Sequence, residues 1–154
     1  MNIVLIEPEI PQNTGNISRT CVMTGSKLFL VGKLGFSLDD RYLRRAGLDY
    51  WRYLQLFCYE EFSALHAEFS NQKFYFFSAK AKGRWYNHVS YGYEDFLVFG
   101  KETSGLPKEL LQREAESSLR IPMIDEVPRS LNLSNSVAVV VYEALRQQEF
   151  PHMR

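Results

Sequence analysis

The sequence predicts an α/β fold with a mainly parallel sheet flanked by helices, on three observations. Short apolar runs recur along the chain, at Asn2–Ile6, 28–31, Phe74–Phe77 and Phe96–Phe99, and stretches of helical spacing separate them. The runs are apolar throughout, as in strands covered on both faces. They end at punctuation: Pro8 follows the first, Gly32 the second and Gly100 the fourth.

Taken in order, residues 2–6 form the first strand. The polar loop Pro11-Gln12-Asn13-Thr14-Gly15-Asn16 opens a helix of about ten residues through Thr24, with Asn13 at its cap and Gly25 as its stop. Residues 28–31 are the second strand. Residues 39–50 are charged and expected to be helical in part, and 54–58 to form a short strand. Phe62, Leu65, His66 and Phe69 then follow a helical spacing. After strands at 74–77 and 96–99, Pro107 fits the first turn of a short helix holding Leu110 and Leu111. An apolar strand is expected at Ile121-Pro122-Met123-Ile124. Val137, Val140, Val141, Ala144 and Leu145 mark the last helix at i, i+3, i+4, i+7 and i+8, with Ser134 as its N-cap. Val139-Val140-Val141 is a poor helix former, so burial against the sheet, a partner subunit or both must hold it. With no repeat or linker, residues 1–154 are expected to be a single domain.

Eighteen Lys and Arg balance 18 Asp and Glu, so the chain is no bulk polyanion binder, although a local basic patch stays open. Cys21 and Cys58 form no CxxC pair, and His66, His88 and His152 show no ligand spacing, so no metal is expected. No apolar run approaches the ~18 residues of a membrane span, and residues 1–7 do not read as a secretory signal. A soluble cytoplasmic protein is expected.

Three loops carry the chemistry, each rich in Gly, Asn or Ser and each placed after an apolar strand, where open α/β sheets bind ligands. The first is Asn13-Thr14-Gly15-Asn16-Ile17-Ser18-Arg19; alone it also suits a helix cap with a surface arginine. The second is Gly100-Lys101-Glu102-Thr103-Ser104-Gly105, whose glycines permit close backbone approach to a flat ligand, or simply make a turn. The third is Ser130-Leu131-Asn132-Leu133-Ser134-Asn135-Ser136. A helix cap needs one such polar residue, and the surplus suits hydrogen bonds to a polar ligand. No GxGxxG follows the first strand and no P-loop is present, which disfavours a Rossmann cofactor site.

These three loops in this order resemble the signature motifs of the SPOUT RNA 2′-O-methyltransferases. Glu7-Pro8-Glu9-Ile10-Pro11, Leu43-Arg44-Arg45-Ala46-Gly47-Leu48-Asp49-Tyr50 and residues 130–136 come closest to the small single-domain group that methylates the wobble ribose of tRNA. The resemblance runs almost end to end. It implies a deep C-terminal trefoil knot, S-adenosylmethionine as cofactor, and tRNA, through its anticodon loop, as partner rather than DNA. It also implies a homodimer built on the first and last helices, whose active sites borrow residues from both subunits. By position, Phe77, Gly100, Gly105, Ile121, Ser130, Leu131 and Leu133 would line the cofactor site. Asn13, Arg19, Glu102, Ser130 and Asn132 match the polar catalytic positions. Lys101 departs from the proline common in close relatives, which either loosens the second motif or adds a phosphate contact.

The demanding step for such an enzyme is to make a ribose 2′-hydroxyl nucleophilic. The family position matching Arg19 is the implied activator. An arginine is almost never deprotonated, with a pKa above about 12, so Arg19 is read as an electrostatic stabiliser of the developing alkoxide and a phosphate anchor. RNA contacts are expected from Arg41, Arg44 and Arg45, from Lys80, Lys82 and Arg84 beside Trp85 and Tyr86, and from Tyr142, which the resemblance places near the site but which also suits core or interface packing. The mixture at 80–86 is typical of single-strand binders, or of a solvated loop anchored by its tryptophan. The competing readings are another tRNA or rRNA position, a non-catalytic knotted RNA-binding protein, and a small-molecule binder.

Overall fold

The computed structural model describes residues 1–38, 50–82, 84–124, 126, 129–151 and 153–154. In chain order the elements are β1 (Asn2–Ile6), α1 (Pro11–Thr24), β2 (Lys27–Val31), β3 (Leu56–Tyr59), α2 (Phe62–Glu68), β4 (Phe74–Phe77), β5 (Phe96–Phe99), α3 (Lys108–Arg113), β6 (Ser118–Leu119) and α4 (Leu133–Gln147). The strands form one sheet in the order β3-β2-β1-β5-β4-β6, with every neighbouring pair parallel.

Alternate residues of each buried strand feed two cores, as the pleat requires. Ile3, Leu5, Leu28, Leu30, Leu97 and Phe99 face α1 and α4, against Ile17, Cys21, Val137, Val140, Val141, Ala144 and Leu145. Val4, Ile6, Phe29, Val31, Phe76, Phe96 and Val98 face the other side, with Leu65 of α2 and Leu110 of α3. Coverage on both faces explains the unbroken apolar runs. The valines of α4 at 137, 140 and 141 are fully buried, and α4 packs on α1; burial there overrides the low helix propensity of valine.

Several boundaries differ from the sequence reading. Helix α1 begins at Pro11, whose missing N–H costs nothing at the first helical position. Its N-cap is Ile10, so Asn13 lies within the first turn and its side chain is not spent on capping. Pro107 is the N-cap of α3 rather than a residue of its first turn. The third strand is shifted to Leu56–Tyr59. Residues 121–124 form no strand: the last strand is Ser118–Leu119, extended only by a bridge between Trp85 and Arg120. Pro122 cannot donate to a ladder, and Ile124 is 68% exposed. The cap of α4 is Asn132, not Ser134. The expected helix at 39–50 falls, except for Tyr50, outside the described residues, as do Arg41, Arg44 and Arg45.

Among the described residues no helix is long and apolar enough to cross a membrane, and no group of three or more His, Cys, Asp or Glu could hold a metal ion.

The order of the sheet positions the site. From β1 the chain builds outward through β2 and β3, then crosses to the other side, where β5 lies beside β1 with β4 and β6 outside it. The crevice beyond the carboxyl ends of β1 and β5 is therefore a topological switch point, where open parallel sheets bind ligands.

Candidate active site

A cavity of about 670 Å³ opens at that switch point, within the usual range for a small-molecule site. All three segments singled out in the sequence reach it, although residues 13–19 lie within helix α1 rather than in a loop and contribute only Asn13. Ile10 and Asn13 come from the start of α1, Gly100 to Gly105 from the loop after β5, and Ser130 to Leu133 with Ser136 from the approach to α4. Phe77 at the end of β4 and Ile121 complete the apolar lining. All seven expected cofactor residues, Phe77, Gly100, Gly105, Ile121, Ser130, Leu131 and Leu133, stand on the wall. Phe77 is held there by stacking on Phe99, with ring centroids 4.8 Å apart.

A directed chain of hydrogen bonds ties the loops together. The Glu102 carboxylate accepts from the backbone N–H of Glu9 at 2.8 Å and of Ile10 at 3.2 Å, and from Asn13 Nδ2 at 3.1 Å. Asn13 Oδ1 accepts from Asn132 Nδ2 at 2.9 Å. Asn132 Oδ1 in turn accepts from Ser134 N at 2.9 Å and Ser134 Oγ at 2.7 Å. A carboxylate only accepts, so Asn13 must present its amide nitrogen to Glu102 and its oxygen to Asn132. Asn132 must then donate towards Asn13 and aim its oxygen at the helix.

The segment between β1 and α1 is joined twice more to the loop after β5. The Glu9 carboxylate accepts from Thr103 Oγ1 at 2.7 Å and Thr103 N at 3.2 Å. Lys101 Nζ lies 2.7 Å from Glu7 Oε2, and that hydrogen bond raises the lysine pKa above its ordinary value. Lys101 thus latches the two loops to each other. Sequence reading missed Glu7, Glu9 and Thr103. The visible signal was two acids flanking Pro8 directly after a buried strand.

Two readings of the loops are sharpened by the structure. A Cβ on Gly100 would lie 2.2 Å from the Gly105 carbonyl carbon and 2.3 Å from Leu106 N. Gly100 is therefore required by its own turn, the second of the two readings given for it, and it also lines the cavity. Gly105, at φ 72°, is the position that faces open space, for a Cβ there would meet nothing within 4 Å. Part of the polar surplus at 130–136 serves the helix start: Ser134 Oγ donates to Asn132 Oδ1 at 2.7 Å and Ser136 Oγ to Asn132 O at 3.1 Å, while Ser130 and Ser136 also line the cavity.

The remaining expected residues divide. Asn13, Glu102, Ser130 and Asn132 line the cavity, as does Lys80. Arg19 does not: it is exposed on α1, with its guanidinium 5.9 Å from the centre of the Tyr50 ring. The Tyr50 hydroxyl donates to Gly15 O at 3.0 Å. Burial raises that phenol, with the Arg19 charge opposing the shift. Lys82 and Arg84 are exposed beyond the cavity rim, and Tyr142 is 46% exposed on α4. Lys80, Met123 and Arg129 add two cations and a thioether to the wall.

Residues 1–142 match the model of the SpoU rRNA methylase family. The chain belongs to that family. A SpoU relative from Escherichia coli K12, named tRNA (cytidine(34)-2′-O)-methyltransferase, is 45% identical over 98% of this chain and 96% of its own. The protein of the same name from Saccharophagus degradans is 47% identical over 97% of this chain and 96% of its own. A solved structure described as giving insight into the 2-OH methylation of C/U34 on tRNA superposes with a TM-score of 0.90 at 41% identity, covering 96% of this chain and 95% of that one. The SpoU methyltransferase AviRb from Streptomyces viridochromogenes, in complex with the cofactor AdoMet, has a TM-score of 0.82 at 20% identity, covering 97% of this chain and 60% of that one. That likeness speaks for the fold alone.

Proposed function

We propose that this SpoU protein is an S-adenosylmethionine-dependent tRNA methyltransferase that modifies the ribose 2′-hydroxyl of the wobble nucleotide, cytidine or uridine 34. The observation that carries the reading is the convergence of the start of α1, the loop after β5 and the approach to α4 on one cavity at the switch point of the sheet. The substrate follows the names of relatives that align over nearly the whole chain. We take residues 1–154 as one methyltransferase domain with a trefoil-knotted C-terminal half. It would act in the cytoplasm as a homodimer through α1 and α4, on RNA and not DNA. Met23 on α1 and Val139 and Tyr142 on α4 are apolar or aromatic and exposed, in keeping with a covered helix face.

The wall suits the cofactor. Phe77, Ile121, Leu131 and Leu133 offer apolar surface for a purine, and the open space beside Gly105 lets a flat ring approach the backbone. Ser130, Ser136 and Lys80 offer polar partners for the remainder. When bound, the cofactor supplies a methyl group on a sulfonium, so the protein need only orient the acceptor and stabilise its charge.

The Glu102 carboxylate is already engaged by three N–H donors, which suits an organiser of the loops rather than a general base. The directed bonds through Asn13 and Asn132 hold the acceptor and cofactor walls in one register. Arg19 would stabilise the developing alkoxide from the second subunit, because in its own chain it lies outside the cavity. Lys80, Lys82 and Arg84, together with Arg41, Arg44 and Arg45, would hold the anticodon loop, with Tyr142 at the subunit junction.

The test is incubation with S-adenosylmethionine and unmodified tRNA, followed by nucleoside mass spectrometry. A 2′-O-methyl group at position 34 is expected. Methylation only at another position would replace the substrate, and calorimetry without cofactor binding at millimolar concentration would remove the enzyme.

A further inference from the structure

We infer that Trp85 is a stacking platform for an unpaired nucleobase next to the methylated nucleotide, a role that rests on the function proposed above. An anchoring tryptophan would be buried, yet Trp85 is 46% exposed while its backbone is held on both sides. Arg120 N donates to Arg84 O at 2.9 Å, Tyr86 N to Arg120 O at 3.0 Å, and His88 N to Trp85 O at 3.0 Å. The segment is pinned further along by Gln147 of α4, which donates to Val89 O and accepts from Tyr91 N, both at 3.1 Å. Tyr91, 6% exposed, donates its hydroxyl to Tyr86 O. A large apolar ring presented from a fixed backbone binds with little ordering cost.

Its place in the fold points to RNA. Trp85 pairs in parallel with Arg120, about 4.8 Å away by strand spacing, and Arg120 is one Cα step, about 3.8 Å, from Ile121, which lines the cavity. The Trp85 backbone therefore stands within about 9 Å of the cavity wall. Lys80 on that wall and exposed Lys82 and Arg84 lead from cavity to indole. A path of cations ending in an exposed aromatic face fits a sugar-phosphate strand with an unstacked base, and an anticodon loop presents such bases. The ring of His88 lies tilted beside that of Trp85, centre to centre 6.4 Å.

The test uses the full chain carrying Trp51→Phe, which leaves Trp85 as its one indole, titrated with an anticodon stem-loop RNA. Saturable quenching of emission is expected. Trp85→Ala should raise KM for the RNA roughly ten- to hundredfold, as loss of one base-aromatic stack does, with kcat and cofactor affinity little changed. Trp85→Phe should recover most of that loss. Unquenched emission at RNA concentrations that saturate turnover overturns the inference, as does an unchanged KM in Trp85→Ala. A shift of emission on dilution without RNA also overturns it, by showing that a second copy covers the ring. If Trp85→Ala does not fold, the quenching and Trp85→Phe still decide. A protein that neither binds nor methylates RNA sinks the proposed function and this role together, whereas normal methylation without Trp85 sinks this role alone.

Discussion

Asn132 donates its amide to the Asn13 carbonyl oxygen at 2.9 Å, across 119 positions of sequence. The same Asn132 caps α4, and the same Asn13 donates to Glu102. One amide thus sets the start of a helix and the register of two loops.

Replacing Asn132 by Asp separates those two duties. Asp caps as well as Asn, so the melting temperature should hold near that of the parent protein. The donor to Asn13 is gone, however, and turning the Asn13 amide would set its oxygen against Glu102. Turnover should fall sharply. Asn132→Ala loses the cap as well and should cost about 1 kcal/mol in addition. Denaturant unfolding of the two single alanine variants and of Asn13→Ala/Asn132→Ala should give a coupling of about 0.5–3 kcal/mol; additive effects would show that the bond carries nothing.

Gly100 and Gly105 should rank in a definite order. Gly100→Ala forces a Cβ onto the Gly105 and Leu106 backbone at 2.2–2.4 Å, which the turn can relieve only by opening. Gly105→Ala meets no atom within 4 Å and bears mainly the strain of φ 72°, about 1–2 kcal/mol. Thermal melting should place Gly100→Ala well below Gly105→Ala. The Gly105 variant should instead lose cofactor affinity, because its methyl group enters the cavity. Equal melting of the two would contradict this account.

The architecture was legible where the signal is local. The strands at Asn2–Ile6, Phe74–Phe77 and Phe96–Phe99 stand where the apolar runs put them, because both faces of the sheet are covered. The two-residue strand Ser118–Leu119 is too short to carry a period, and Ile121 to Ile124 imitates one. The N-cap of α1 is Ile10, which carries no polar side chain to mark a helix start, so α1 begins earlier than its asparagine suggested. The bonds of Glu102, Asn13 and Asn132 join residues about a hundred positions apart, and no spacing rule reaches that far.

The two thiols should react unequally. Cys58 is exposed, whereas Cys21 is fully buried on α1 and burial pushes its pKa up to about 12 from 9.0. A thiol reagent at pH 8 should modify one cysteine in the native state and the second only on unfolding. The raised pKa also fixes the sign of an alkaline effect. Below pH 9 both states keep the proton. Between pH 9 and about 12 only the unfolded chain releases it, so stability falls with rising pH in that window. Cys21→Ala should flatten that decline while lowering stability at neutral pH through the cavity it leaves. Rapid native labelling of both thiols would refute the burial.

Arg19 makes the sharpest demand. It lies about 9 Å along α1 from Asn13 by helical rise and outside the cavity that Asn13 lines. If its charge stabilises the alkoxide, Arg19→Ala should lower the single-turnover rate by about 10²–10³ and leave cofactor affinity unchanged. Arg19→Lys should recover little, since a point charge lacks the planar fork. If the charge is delivered across a subunit boundary, mixing Arg19→Ala with Asn132→Asp should restore activity that neither has alone. In the mixed dimer one cavity is intact and faces an intact arginine. If Arg19 served the cavity of its own chain, every mixed dimer would pair a sound cavity with a missing arginine, or the reverse, and mixing would restore nothing. Subunit exchange confirmed by mass spectrometry, with turnover measured on the same sample, separates the two arrangements.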